Sequence, residues 1–324
     1  MDESVREVSA EVEGKRRPLL VDLFVRLIKE KPLGSVGAVI VLIMFLAGIF
    51  AELLAPFGMN EMVLADRLSL PSGVHILGAD HLGRDLLSRI IFGARISMFV
   101  GLGGAALDAL LATLIGIVSG FFGGKIDITL QRFVDAWMCF PPMFIFLTIM
   151  AILGPGILQV ILVLGIAGGI RSSRVVRSAV IGVKENIYVE AARAIGAPAR
   201  RILYKHILPN VLAPIIIIFT VAMGRMIITE ATLSFLGFGI PPPEPSWGGM
   251  LSRDGRRYMR FAPHMALWPG LALAIVVYGI NMLGDAMRDI LDPRLRGGLG
   301  RYSGVAKQRA KKAKTWGREL VSRE

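Results

Sequence analysis

The sequence predicts an all-α, polytopic membrane bundle of six transmembrane helices, with the N- and C-termini both on the inner side. Three observations predict it. Of the 324 residues, 54% are hydrophobic and only 19% are charged. The charges are segregated, so that long uncharged runs alternate with short charged stretches, as in a chain for which lipid is part of the solvent. The uncharged runs are continuously apolar over about 20 residues, the length of a spanning helix, and lack the alternation of a membrane barrel.

Residues 1–31 are polar and charged and carry no cleavable leader pattern, so they read as an inner segment. The first span is predicted at 33–54 and the second at 96–122, interrupted only by Asp108. Before the second span, His81–Ser97 is amphipathic. Leu82, Leu86, Leu87, Ile90 and Ile91 share one side, with Arg84, Asp85 and Arg89 near the other, which predicts a helix lying on the outer surface. The third span, 136–153, closes at the turn Gly154-Pro155-Gly156. A fourth runs from Ile157 toward residue 182; the fifth, 211–236, carries Arg225 and Glu230; the sixth is 266–283. These boundaries divide the chain into an N-terminal segment 1–31, a membrane domain 32–293 with an inner loop at 171–210, and a tail 294–324.

Positive charge orients the bundle. The segments 1–31, 123–135, 171–210 and 284–324 hold 28 of the 37 Lys and Arg residues, and the opposite segments, about 57–95 and 237–265, hold 8. The Lys/Arg-rich side is the cytoplasmic one. The net charge of +12 is thereby explained by inner segments facing anionic lipid, and nucleic-acid binding is not expected.

The inner loop contains EAARAIGAPARRILYKHILPN at 190–210. Asn186 is placed to cap a first helix. Gly196 stands where a left-handed C-terminal cap is needed, and Pro198 suits the start of a second helix that stops before Pro209. The residues alone fit an interfacial elbow as well as a docking element, in which small Ala191 and Ala192 admit a close partner. In the second span, Ala112, Gly116, Gly120 and Gly124 recur every four residues and predict a stripe for close helix packing. Asp108 and Arg225 both fall near mid-membrane, where an unpaired charge costs at least about 2.5–3.5 kcal/mol. They are expected to pair inside the bundle or beside a pathway, with Glu230 a further pathway candidate.

Other chemistry is not expected. The nearest approach to a phosphate loop, Gly124-Lys125, is followed by Ile126 and has Ser119 where the first Gly belongs. His75, His81, His206 and His264 are scattered without metal-ligand spacing, no nucleophile motif stands out, and the single Cys139 lies in an apolar stretch.

Glu190-Ala191-Ala192, Gly196 six positions after the Glu, and Leu208-Pro209 resemble the EAA loop of ABC importer permeases, and His206-Ile207-Leu208-Pro209-Asn210 resembles the dipeptide/oligopeptide (and nickel) subgroup. Three further motifs occur in the matching order. Leu77-Gly78-Ala79-Asp80 precedes Gly83-Arg84-Asp85 and Ser88-Arg89. Leu233-Ser234-Phe235-Leu236-Gly237 precedes Pro241-Pro242-Pro243, Pro245-Ser246-Trp247-Gly248 and Met250-Leu251. Asn281 is followed by Leu283-Gly284-Asp285, Arg288-Asp289 and Leu291-Asp292-Pro293-Arg294. The resemblance implies that Glu190, Ala191, Ala192, Gly196, Ala197, His206, Leu208 and Pro209 couple this chain to an ATP-binding subunit. It also implies a second homologous permease, two ATP-binding subunits that hold ATP and Mg, and an extracytoplasmic solute-binding protein facing the 241–248 loop. No cofactor is implied in this chain. Di- or oligopeptides are the implied cargo, although members also carry nickel or oligosaccharides. A secondary transporter or channel remains the alternative that spans and buried charges alone would allow.

Overall fold

The computed structural model describes residues 19–291; residues 1–18 and 292–324, which include the basic tail and Asp292-Pro293-Arg294, lie outside the described residues. The described chain is helical, with one isolated bridge between Ala79 and Asp85. In chain order the helices are α1 (Leu19–Glu30), α2 (Pro32–Ile49), α3 (Ala51–Leu54), α4 (Leu86–Phe122), α5 (Gly124–Met138), α6 (Pro142–Leu153) and α7 (Ile157–Lys184). They continue as α8 (Ile187–Ala194), α9 (Ala199–Ile202), α10 (Leu208–Phe235), α11 (Trp247–Leu251), α12 (Arg253–Arg257) and α13 (His264–Leu291).

Among the described residues, five helical stretches are long and apolar enough to cross a membrane, and the bent pair α5–α6 makes a sixth only if it is counted as one broken span. The span predicted at 136–153 takes a bent form. The chain bends by 87° between α5 and α6, where Pro141 and Pro142 remove two backbone donors. The apolar piece after the bend has 12 residues, about 18 Å of helix, too short to cross the roughly 30 Å of hydrocarbon by itself.

The surface helix expected at 81–97 does not form as a separate element. Residues from Leu86 onward belong to α4, which runs unbroken for 37 residues, about 55 Å. Asp85 caps its start, accepting from Ser88 N and Ser88 Oγ, each at 2.8 Å. Arg84, Asp85 and Arg89 are buried rather than solvated. The Asp80 carboxylate compensates Arg84, accepting from its Nε at 2.7 Å and from its backbone N at 3.0 Å.

α4 is the central strut. It packs along α7 for most of that helix and also touches α2, α10 and α13, while α13 packs on α2 and α10. The two largest apolar clusters form along it. One gathers Val100, Val160, Leu164, Met226, Ile227 and Ile280. The other, toward the far end of α4, gathers Phe121, Val176, Val180, Val189, Ile202 and Ile207. Leu33, Val36, Val39 and Ile43 of α2 are exposed, as a lipid-facing stripe requires.

Candidate functional site

The loop after α7 is built by its backbone. Gly196 lies at φ +75°, Ala197 N donates to Ala192 O at 3.0 Å and Gly196 N to Arg193 O at 2.9 Å, so a glycine cap ends α8 and reverses the chain. Two local expectations shift. Asn186 takes the N-cap position of α8, but its Nδ2 donates backward to Gly182 O and Val183 O, closing the end of α7 instead. Pro198 is extended at ψ 148° and caps α9 from outside rather than opening it.

The predicted stop before Pro209 is also corrected. A π-helical turn, Leu203–Ile207, joins α9 to α10, giving one continuous helical stretch from Ala199 to Phe235. The wide turn accommodates Pro209, which has no N–H to offer the preceding turn.

The loop is anchored on one face and open on the other. Val189, Ala192, Ile202 and Ile207 are buried against Phe121, Val176 and Val180. The Arg193 guanidinium lies 5.8 Å from the Phe121 ring centroid, and Tyr188 and His206 bring their rings to 6.0 Å across the two arms. Ala192 therefore packs inside this chain, whereas Glu190, Ala191, Gly196 and Pro209 are exposed and Ala197, His206 and Leu208 are half-buried. The large apolar residues Ile187 and Ile195 are each 84% exposed, and Tyr204 is 63% exposed. Sequence reasoning missed these three and the anchors Val189, Ile202 and Ile207. A period of three to four residues through 189–207 is the signal that could have separated the two faces.

Beneath the loop, Arg177 donates to both oxygens of Asp127, at 2.6 and 2.5 Å, and Ser119 Oγ donates to the same carboxylate. Lys184 Nζ donates to Phe121 O at 2.7 Å, satisfying a carbonyl at the end of α4. The small-residue stripe serves α7 here. A Cβ on Gly116 would fall 2.6 Å from Val176 Cβ, and one on Gly120 would fall 2.9 Å from Val180 Cβ. Gly124 leaves the stripe, since it begins α5 at φ +54° in open space.

Midway along the bundle, Arg225 Nη2 lies 2.5 Å from Asp108 Oδ2. The Asp108 side chain is fully buried and that of Arg225 is 46% exposed. Gly168 backs the pair, because a Cβ there would stand 2.3 Å from Asp108 Oδ2. Glu230 is sealed within the chain rather than facing open space: its side chain accepts from Ser234 Oγ at 2.6 Å, and Ser234 Oγ in turn accepts from Ile240 N at 3.0 Å.

At the far end from the loop, the residues before α4 form a polar knot. His75 Nδ1 is 3.0 Å from Asp85 Oδ1, and its Nε2 is 3.3 Å from Asp66 Oδ2. Burial pushes the imidazole pKa down, but the hydrogen bonds and charges of Asp85 and Asp66 outweigh it and hold the value above the ordinary 6.5. Gly83 at φ +74° lets the turn pass Val63, whose O would lie 2.1 Å from a Cβ. Trp247 is buried and donates Nε1–H to Ile90 O at 3.1 Å, tying the proline-rich loop to α4.

Comparison with known proteins agrees with this architecture. Residues 112–297 match the family described as binding-protein-dependent transport system inner membrane component. The chain is 39% identical over 269 residues to the dipeptide transport system permease protein DppC of Alkalihalophilus pseudofirmus, covering 83% of this chain and 88% of that protein. It is 37% identical over 268 residues to the oligopeptide transport system permease protein OppC of Bacillus subtilis, covering 83% and 88%. It is 36% identical over 272 residues to the glutathione transport system permease protein GsiD of Pectobacterium atrosepticum, covering 84% and 90%. Among solved structures, a chain of the inward-facing MetNI methionine ABC transporter shares the fold with a TM-score of 0.51 at 18% identity, over 63% of this chain and 96% of that one. With a loop anchored on one face, a glycine-capped reversal and a membrane bundle behind it, this chain belongs to the family of binding-protein-dependent transport system inner membrane components.

Proposed function

We propose that this ABC importer permease is the conducting and coupling subunit of a peptide importer, carrying di- or oligopeptides as the names of its relatives suggest. Residues 1–31, the 171–210 loop and the tail 294–324 face the cytoplasm, and the His75–Asp85 knot and the 241–248 loop face outward toward a solute-binding protein. A second homologous permease completes the pathway, and two ATP-binding subunits, which hold ATP and Mg, sit under the loop. No phosphate loop in this chain supplies that chemistry.

The observation that carries the reading is the two-faced loop. Val189, Ile202 and Ile207 fix it to the ends of α4, α7 and α10, while Ile187, Ile195 and Tyr204 stand out from the same element. Exposed apolar residues beside buried anchors suit a partner's groove. Movement of that partner would be delivered directly to three spanning helices.

Replacing Gly196 by Val forces a branched side chain into φ +75°, at a cost of about 1–2 kcal/mol or more confined to the loop. Membrane insertion should survive, while ATP hydrolysis stimulated by peptide-loaded binding protein should fall at least about tenfold. Transport that persists in a preparation lacking any associated ATPase would rule the importer reading out in favour of an ATP-independent carrier.

A further inference from the structure

Arg225 faces a cavity of ≈ 280 Å³ that Arg171 also lines. Apart from Thr229, its remaining wall is apolar and aromatic, with Trp137, Phe146, Leu164 and Met226 among its members, and no Asp or Glu among the described residues lines it. Asp108 stands behind Arg225, fully buried, and engages one of its terminal nitrogens. Arg171 is exposed and makes no ion pair or side-chain hydrogen bond among the described residues. Two guanidiniums against one carboxylate leave one positive charge uncompensated beside an apolar wall. Such a charge attracts an anion that reaches it, and a guanidinium fork matches a carboxylate with two parallel hydrogen bonds.

We propose that Arg171 and Arg225 form a carboxylate-binding subsite along the solute's route, with Asp108 as the positioning residue that holds the Arg225 fork. The preferred ligand joins a carboxylate to an apolar body, as the C-terminus of a peptide with hydrophobic side chains does. The inference rests on the import reading above and adds a chemical preference made by this chain rather than by the binding protein.

An anionic lipid headgroup offers similar chemistry, so the test separates the two sources. The full complex, without binding protein, is placed in phosphatidylcholine nanodiscs, and equilibrium binding of radiolabelled alanyl-phenylalanine is compared with that of its C-terminal amide. The free carboxylate is expected to bind at least about tenfold tighter, the scale of one charge-assisted hydrogen bond. Arg171→Gln should abolish that ratio and Arg171→Lys should keep part of it. The double variant Asp108→Asn/Arg225→Gln, which strands no buried charge, should also abolish it. Equal binding of acid and amide, or a ratio unchanged in Arg171→Gln, overturns the proposal. A preference that disappears when phosphatidylglycerol is added assigns the site to lipid and overturns it too. ATP-driven uptake of the same dipeptide by the wild-type complex with its binding protein is measured in parallel. Uptake without a carboxylate preference sinks only this subsite, whereas absence of uptake sinks the import reading.

Discussion

Removing either member of the Asp108–Arg225 pair has unequal consequences, because only one of the two charges has a way out. Without Arg225, the Asp108 carboxylate is fully buried with its cationic partner gone, a situation that costs about 3–5 kcal/mol. Without the Asp108 charge, Arg225 is already 46% exposed toward its cavity, so Asp108→Asn should cost only about 1–2 kcal/mol. Thermal unfolding in detergent should therefore rank Arg225→Ala well below Asp108→Asn, and equal losses would contradict the burial argument. His75 gives the pH counterpart. Its pKa is raised in the folded chain, so its protonated form stabilises the knot fully below 6.5, and that contribution is lost as pH rises through the raised value. The melting-temperature gap between wild type and His75→Gln should shrink from about pH 5.5 to about pH 8.5. Of these two sites, the sequence offered only the first as a candidate, since lone opposite charges in apolar runs select each other. The His75 knot was not, because its three acids and bases are brought together by turns at Gly78 and Gly83 with φ of +86° and +74°, which hydropathy does not encode.

Between helices, contact distance decides. Gly116 on α4 leaves no room for a methyl group, whose nearest neighbours would be Val176 Cβ at 2.6 Å and Ser173 O at 2.8 Å. Gly116→Ala should push α7 away and cost about 1–3 kcal/mol. Gly182 on the same α7 has nothing within 4 Å of a built Cβ, so Gly182→Ala should stabilise by about 0.5–1 kcal/mol through helix propensity. Opposite signs in a thermal-shift measurement are the expected outcome, and matching signs would show that the α4–α7 seam is looser than drawn. The four-residue spacing made this seam visible in the sequence as far as Gly120. It misled at Gly124, where the helix had already ended. Element breaks were the least legible feature overall: Pro141-Pro142 bends a stretch whose apolarity reads as one span, while Pro209 looks like a stop and is absorbed by the π turn at Leu203–Ile207.

For the molecule as a whole, the proposed sidedness has a direct check. In a Cys139→Ser background, Leu70→Cys, at a position 64% exposed beside the His75 knot, should react with a membrane-impermeant maleimide on intact cells. Lys125→Cys, exposed near the start of α5, should react only after permeabilisation. The reverse pattern would invert the bundle and move the loop away from any cytoplasmic ATPase. The all-α bundle itself was legible because lipid demands long apolar runs with internally satisfied backbones. The continuity of α4 was hidden by the polar residues at its start, which are buried in pairs rather than solvated. That continuity makes the helix a gauge of bilayer thickness. Its 37 residues exceed a typical hydrocarbon core by about 25 Å, and neither end is free to slide. Asp85 is held by His75, and Phe121 is held by Lys184 and Arg193. A thinner or thicker membrane is therefore accommodated by changing the tilt of α4 rather than its depth, and every helix packed along it, the loop included, tilts in proportion.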